Sequence, residues 1–386
     1  MEITELTEPT QLALADMHIT SFSEVQATIA DALAGKDLLI QSPTGSGKTL
    51  AYLIPIVERL MPQGRGKHFP DALVLVPTRE LALQTADTAR KLLAHTEGFR
   101  TAVLTGGEDI QKQIRSFSKG ADIVIATPAR LLDHLRRHTF KPKHCSTLVL
   151  DEADVMLSMG FIEDVRNVIA ALPEHQTLLY SATLSEEVRE LSTSIQNEPV
   201  SYTFGASKLL VQNTPVTAVI VEEEHKLDAL WKLLKEPEQT LLFVNTRKTC
   251  AFVSSELSKH HIPCLALYSG LDPRIRKQHM EQFRNGRCKI LVATDVASRG
   301  IDIPSVKRII LYDFPDEAES LIHRIGRTSR ANTKGEAFLF LTEKQKDKVQ
   351  AAEQLLHEPV QVRKYKNRKE RSKKPSLSSH KKRIVR

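Results

Sequence analysis

Eight consecutive residues, Ser42, Pro43, Thr44, Gly45, Ser46, Gly47, Lys48 and Thr49, lie between a short apolar run and a helical pattern and have the chemistry of an anion cradle. Small residues let backbone N–H groups wrap a phosphate at a helix start, a lysine reaches the terminal phosphates, and a hydroxyl ligates magnesium. Ser42 stands where the usual pattern has its leading glycine, so the bare string also suits an ordinary turn. Such a cradle needs an acid at a neighbouring strand end to hold the metal and a base to aim water. Asp151 and Glu152 follow the apolar run 147–150 and supply both, Asp151 for Mg²⁺ and Glu152 for the attacking water. The pair implies hydrolysis of a triphosphate rather than transfer to an acceptor. Taken alone, two acids after a strand equally serve as a helix cap and its dipole partner.

The elements that must position these groups follow from the alternation of short apolar runs with helical periodicity, which marks parallel strands joined by crossover helices. Strands are expected at 37–40, 72–76, 101–104, 122–126, 147–150 and 177–180, then again at 216–221, 240–244, 264–267, 289–292, 308–311 and 337–341. The fold class is α/β, with two tandem doubly wound domains of mostly parallel sheet over 1–203 and 215–362. A linker is expected at 204–214, where prolines and a glycine interrupt the periodicity. A chain of 386 residues, 41% hydrophobic and 26% charged, has enough apolar material for two cores.

No apolar run reaches the roughly 18 residues of a membrane span, and 1–10 is too acidic for a signal peptide, so a cytoplasmic protein is expected. Cys145, Cys250, Cys264 and Cys288 are widely spaced, which excludes a zinc ribbon and suits reduced core thiols. From 363 onward twelve basic residues face only Glu370, leaving 42 basic against 46 acidic residues in 1–362. The +7 formal charge therefore resides in a tail expected to be disordered and to concentrate near a polyanion.

The tetrapeptide Asp151-Glu-Ala-Asp154 does not stand alone. Pro77-Thr-Arg-Glu-Leu-Ala82, Gly106-Gly107, Thr127-Pro-Ala-Arg130, Ser181-Ala-Thr183, Ala293-Thr-Asp-Val-Ala-Ser-Arg-Gly-Ile-Asp302 and His323-Arg-Ile-Gly-Arg-Thr-Ser-Arg330 accompany it in order. With these motifs the sequence resembles the DEAD-box ATP-dependent RNA helicases, in particular compact bacterial members with a short basic tail. The resemblance implies two RecA-like domains with ATP and Mg²⁺ between them. It assigns Gln26 to the adenine, Asp302 to the ribose, and Arg327 and Arg330 as arginine fingers supplied by the second domain. Asp154, Ser181, Thr183 and His323 match the motifs that couple nucleotide state to RNA. Arg79, Gly107, Thr127 and Arg130, with Thr246, Thr294 and Arg299 of the second domain, match positions along the RNA phosphates. On residues alone, Arg324, Arg327 and Arg330 equally make a solvated helix face, and Arg79 and Arg130 equally pair with Glu80 or Asp133.

The sequence departs from the family at several points. Phe22 replaces a proline ahead of Gln26, Pro9 falls where an adenine-stacking aromatic is usual, Pro273 replaces a glutamine, and Ser329 replaces a glycine between the fingers. A weak ATP affinity with relaxed base discrimination is expected. With a single tryptophan, Trp231, expected to pack, no base-stacking platform is evident. The expected activity is RNA-stimulated ATP hydrolysis that melts short duplexes or remodels RNA–protein particles. Ribosomal RNA, pre-ribosomal particles or RNA turnover are the expected setting, with the protein acting as a monomer. The alternative is an ATP-gated RNA clamp or assembly scaffold with little unwinding.

Overall fold

The structure is a computed structural model, and it describes residues 1–43, 45–63, 69–204, 214–235, 238–295, 306–315, 318–328, 335–356 and 358–365, except the side chains of 63, 273, 318, 319 and 323. Thr44, Arg299, Asp302, Arg330, Ser329, the linker at 205–213 and the tail at 366–386 lie outside the described residues, as do the Pro273 and His323 side chains.

Fourteen described strands form two sheets in which every pairing is parallel. The first sheet contains β1 Leu38–Gln41, β2 Ala72–Leu75, β3 Thr101–Leu104, β4 Ile123–Ala126, β5 Thr147–Leu150, β6 Gln176–Ser181 and β7 Val200–Thr203. The second contains β8 Val216–Ile220, β9 Thr240–Phe243, β10 Leu265–Leu267, β11 Ile290–Ala293, β12 Arg308–Leu311, β13 Glu336–Leu341 and β14 Gln361–Lys364. Their spatial orders are β3-β4-β2-β5-β6-β1-β7 and β10-β11-β9-β12-β13-β8-β14. The second order is the first with seven added to every strand number, so one topology is used twice. Two RecA-like domains, each a parallel sheet between helices, result.

The inner strands read as largely apolar runs because both faces of each sheet are covered there. Leu38 and Ile40 point to one core and Leu39 to the other, and Leu241 and Phe243 oppose Leu242 in the same way. Period-two alternation thus builds two cores per sheet. The four cysteines are free thiols, three of them buried, and burial raises Cys145 to about 12. Among the described residues no helix is long and apolar enough to cross a membrane.

Twelve strands fall at the expected runs to within about a residue or two, whereas β7 and β14 were not expected. Each adds to the outer side of the first strand of its sheet. Arg363 and Lys364 are corrected from tail to strand, since backbone pairing with β8 places them in the sheet although their side chains are exposed.

Candidate functional site

In a parallel sheet the loops leaving the strand C-termini share one edge, and ligands bind there. The order β5-β6-β1 sets three such loops side by side: Asp151 after β5, Ser181 at the end of β6 and Ser42 after β1. The Ser42 N–H donates to the Ser181 carbonyl at 2.8 Å, which locks the cradle to its neighbour. Ser42 Oγ and Ser46 Oγ lie 2.7 Å apart, and Lys48 Nζ donates to the Ser42 carbonyl at 3.0 Å. Lys48 and Thr49 open the helix Lys48–Leu60.

Gly47 caps that helix at φ +99°, and a Cβ there would lie 2.6 Å from Gln26 Nε2. Only glycine suits both the dihedral and the space. Gln26 itself is buried; its Oε1 accepts from the Ser23 N–H at 2.9 Å and its Nε2 donates to the Gly47 carbonyl at 3.2 Å. The segment expected to read adenine is therefore fastened to the cradle. Pro9 lies in the first turn of the helix Glu8–Asp16, and Phe22 packs against the first core.

Asp151 is buried, and one of its oxygens, Oδ2, accepts from the Tyr52 hydroxyl at 2.9 Å. Desolvation pushes its carboxyl up to about 6, with Lys48 opposing and Glu152 reinforcing the rise. Its Oδ1 and the Glu152 Oε2 are buried without a hydrogen-bond partner. A buried, orphaned carboxylate oxygen is costly, and a divalent cation held on oxygen ligands satisfies it. Asp151 and Thr49 thus fit Mg²⁺ by their donor chemistry. Glu152 is held at φ +55°, a left-handed conformation that is strained for a residue with a side chain.

Asp154, Ser181 and Thr183 come together. Asp154 Oδ2 accepts from the Thr183 N–H and hydroxyl, each at 2.9 Å, and the Asp154 N–H donates to Ser181 Oγ at 3.3 Å. The Ser181 hydroxyl donates to the Thr183 carbonyl at 2.6 Å.

The other half of the edge, β3-β4-β2, carries Gly107, Thr127 and Arg79 on its loops. Arg79 pairs with Glu108 at 2.6 Å, and Arg130 donates to the Glu108 carbonyl and to Gln113 Oε1, both at 3.0 Å. Local pairing of Arg79 with Glu80 and of Arg130 with Asp133 is corrected: Glu80 binds Arg276, and Asp133 binds Arg137.

The repeated topology locates the matching positions of the second sheet. Thr246 caps the helix Arg247–Lys259 after β9, and Thr294 follows β11 with its hydroxyl buried and unpartnered. Thr127 and Thr294 bond equivalently through their N–H groups, to Leu104 at 3.1 Å and Leu267 at 3.0 Å. Gly107 and Gly270 have positive φ, and a Cβ on either would lie 3.3 Å from the guanidinium of Arg79 or Arg247 respectively. Arg247 and Gly270, which motif reading passed over, are thus the counterparts of Arg79 and Gly107. The signal was present in the paired strings Thr78-Arg79 and Thr246-Arg247.

Arg324 was also missed, and its solvated-face reading is corrected. Its side chain is 2% exposed, grips Asp295 with two bonds of 2.7 Å, and donates to Asn245 Oδ1 and the Asp313 carbonyl at 2.8 Å. It ties the ends of β9, β11 and β12 to the helix Ala318–Ile325, and so fixes the start of the buried Arg327. Trp231 lies against the His260 ring at 3.7 Å between centroids, a packing contact.

Comparison with known proteins matches residues 23–191 to the DEAD/DEAH box helicase family model and 225–332 to the helicase conserved C-terminal domain. The chain is 37% identical over 346 residues to the DEAD-box ATP-dependent RNA helicase CshA of Bacillus licheniformis, covering 89% of this chain and 70% of that protein. It is 38% identical to the ATP-dependent RNA helicase DeaD of Buchnera aphidicola, of which it spans 56%. Among solved structures, Mss116p bound to ssRNA and AMP-PNP superposes with a TM-score of 0.86 at 28% identity, covering 96% of this chain and 80% of that one. S. cerevisiae Dbp5 bound to RNA and ADP BeF3 gives 0.82 at 27% identity, covering 93% and 94%.

Proposed function

Because the chain belongs to the DEAD/DEAH box helicase family, we propose that it is an ATP-dependent RNA helicase that couples ATP hydrolysis to local duplex melting or remodelling of RNA–protein particles. The observation that carries the reading is the line of loops on β5-β6-β1, where an anion cradle, two buried carboxylates with orphaned oxygens and the Asp154–Thr183 latch meet. When bound with the nucleotide, Mg²⁺ supplies charge neutralisation at the phosphates, with Asp151 and Thr49 as its protein ligands. Lys48 leaves the Ser42 carbonyl for the β and γ phosphates of ATP. Glu152 orients and deprotonates the attacking water, and Arg327 and Arg330 complete the pocket from the second domain; an arginine finger is worth about 10³ to 10⁵ in rate.

RNA lies along Arg79, Gly107, Thr127 and Arg130, then Thr246, Thr294 and Arg299, with Arg247 and Gly270 beside them. These are phosphate contacts, so they carry no base specificity. The basic tail adds sequence-independent affinity, and Pro9 in place of an upstream aromatic leaves ATP weakly held. Ribosomal RNA and pre-ribosomal particles are the setting we favour, with the protein acting as a cytoplasmic monomer.

ATP hydrolysis with and without RNA, in the native chain and in Glu152→Gln, tests the reading. RNA is expected to stimulate the native chain, and Glu152→Gln to stop turnover while prolonging the life of the RNA complex. Unchanged hydrolysis in that variant refutes the role of Glu152.

A further inference from the structure

We propose that Tyr52 is a positioning residue for Asp151, its phenol holding one carboxylate oxygen so that the other is left for the metal. The inference rests on the nucleotide reading above and goes beyond it, because Tyr52 belongs to none of the motifs that carry that reading. Tyr52 sits one turn past Lys48 and Thr49 on the helix Lys48–Leu60 and is fully buried. The Tyr180 ring packs edge-on against it, with centroids 5.3 Å apart and planes at 61°, which fixes the phenol's direction.

A phenol has a single proton to donate. It goes to Asp151 Oδ2 at 2.9 Å, so the neighbouring hydroxyls, Thr85 at 3.5 Å and Thr49, are left as donors to the phenol oxygen. A buried relay therefore runs from Thr85 through Tyr52 to Asp151. Its consequence lies on the far side of the carboxylate, where Oδ1 has no partner. Were Asp151 free to rotate, either oxygen would serve either role. The phenol removes that freedom and fixes which oxygen ligates. The relay also has an origin with meaning for the RNA side, since Thr85 lies on the helix Arg79–Leu92, whose first residue is a proposed phosphate contact.

Packing alone does not require this hydroxyl. A phenylalanine would fill the same space, whereas a buried hydroxyl needs a partner, and the partner here is the carboxylate on which the metal chemistry depends.

Tyr52→Phe in the full chain separates the two roles. Binding of a fluorescent ATP analogue is measured by titrating MgCl₂ from EDTA, alongside steady-state hydrolysis at several Mg²⁺ concentrations. In EDTA the affinities of native chain and variant are expected to agree within about twofold. The Mg²⁺ concentration for half-maximal enhancement is expected to rise roughly tenfold, the size of a lost hydrogen bond to an ionised group. The turnover number should fall at low Mg²⁺ and recover as Mg²⁺ is raised, a rescue that a packing defect does not produce. An unchanged Mg²⁺ dependence in a variant that unfolds at the native temperature overturns the role of Tyr52. Native affinity that ignores Mg²⁺ overturns the nucleotide reading itself, and this inference with it. If Tyr52→Phe fails to fold, Thr85→Val keeps the ring and removes one of the two hydroxyls that donate to the phenol; a shift of about threefold in the same direction is expected, and none overturns the relay.

Discussion

Glu80, in the first turn of the helix Arg79–Leu92, meets Arg276 of the helix Pro273–Arg284 at 2.9 Å, an ion pair that joins the domain of the first sheet to that of the second. Its side chains are only 26% and 17% exposed, so solvent screens it less than a surface pair. Burial lowers the Arg276 pKa, Glu80 opposes that, and nearby Arg79 adds to it. Removing the acid therefore leaves two guanidinium groups facing each other, while removing Arg276 leaves a lone carboxylate beside Arg79. Glu80→Ala should be the more damaging change. At an effective dielectric of about 20 the bare attraction is about 4 kcal/mol at 4 Å. Desolvation cancels much of it, which leaves a coupling of about 1 to 2 kcal/mol. Closure of the domains on RNA should weaken by the same amount, raising the RNA concentration for half-maximal ATPase roughly 5- to 30-fold. The assay is an RNA titration of hydrolysis for both single alanine variants and the double variant. Single effects that simply add, or an RNA requirement that does not move, would refute the argument that this pair helps join the two domains on RNA.

Two further expectations follow from the same surfaces. Glu108 pairs with Arg79, a proposed phosphate contact, so Glu108→Gln should tighten RNA binding about two- to fivefold at low salt, in keeping with the modest worth of exposed pairs; fluorescence anisotropy with a labelled oligonucleotide checks this, and equal affinities disprove it. His134 is fully buried between Thr139 Oγ1 and Gln113 Oε1, and burial, aided by Arg130 and Arg137 and opposed by Asp133, lowers its pKa below 6.5. The unfolded chain then binds the extra proton first, so stability is full above pH 6.5 and declines as the pH falls toward the folded pKa. His134→Gln should flatten the fall in urea stability between pH 7.5 and 5.5, and parallel profiles would exclude His134 as the cause.

Much of this protein is written locally. A strand buried on both faces must be apolar throughout, and a run of small residues favours a turn into a helix, so the strand 147–150 and the helix start at Lys48 were legible without coordinates. The two edge strands were not. Side chains of Val200–Thr203 alternate between half-buried and exposed, and those of Gln361–Lys364 are all exposed. Neither is apolar throughout: β7 pairs with β1 and sets Val200 and Tyr202 against the first core, whereas β14 joins β8 through backbone pairing with its side chains exposed.

Which strand ends become neighbours is likewise not a local property. Tyr52 and Asp151 are 99 residues apart, and Arg324 meets Asn245 across 79. Parallel pairing inserts a crossover between successive strands, so the spatial order follows from how helices and cores pack rather than from the composition of any segment. Residue types named the chemistry; the packed order of strands chose which oxygens it reaches.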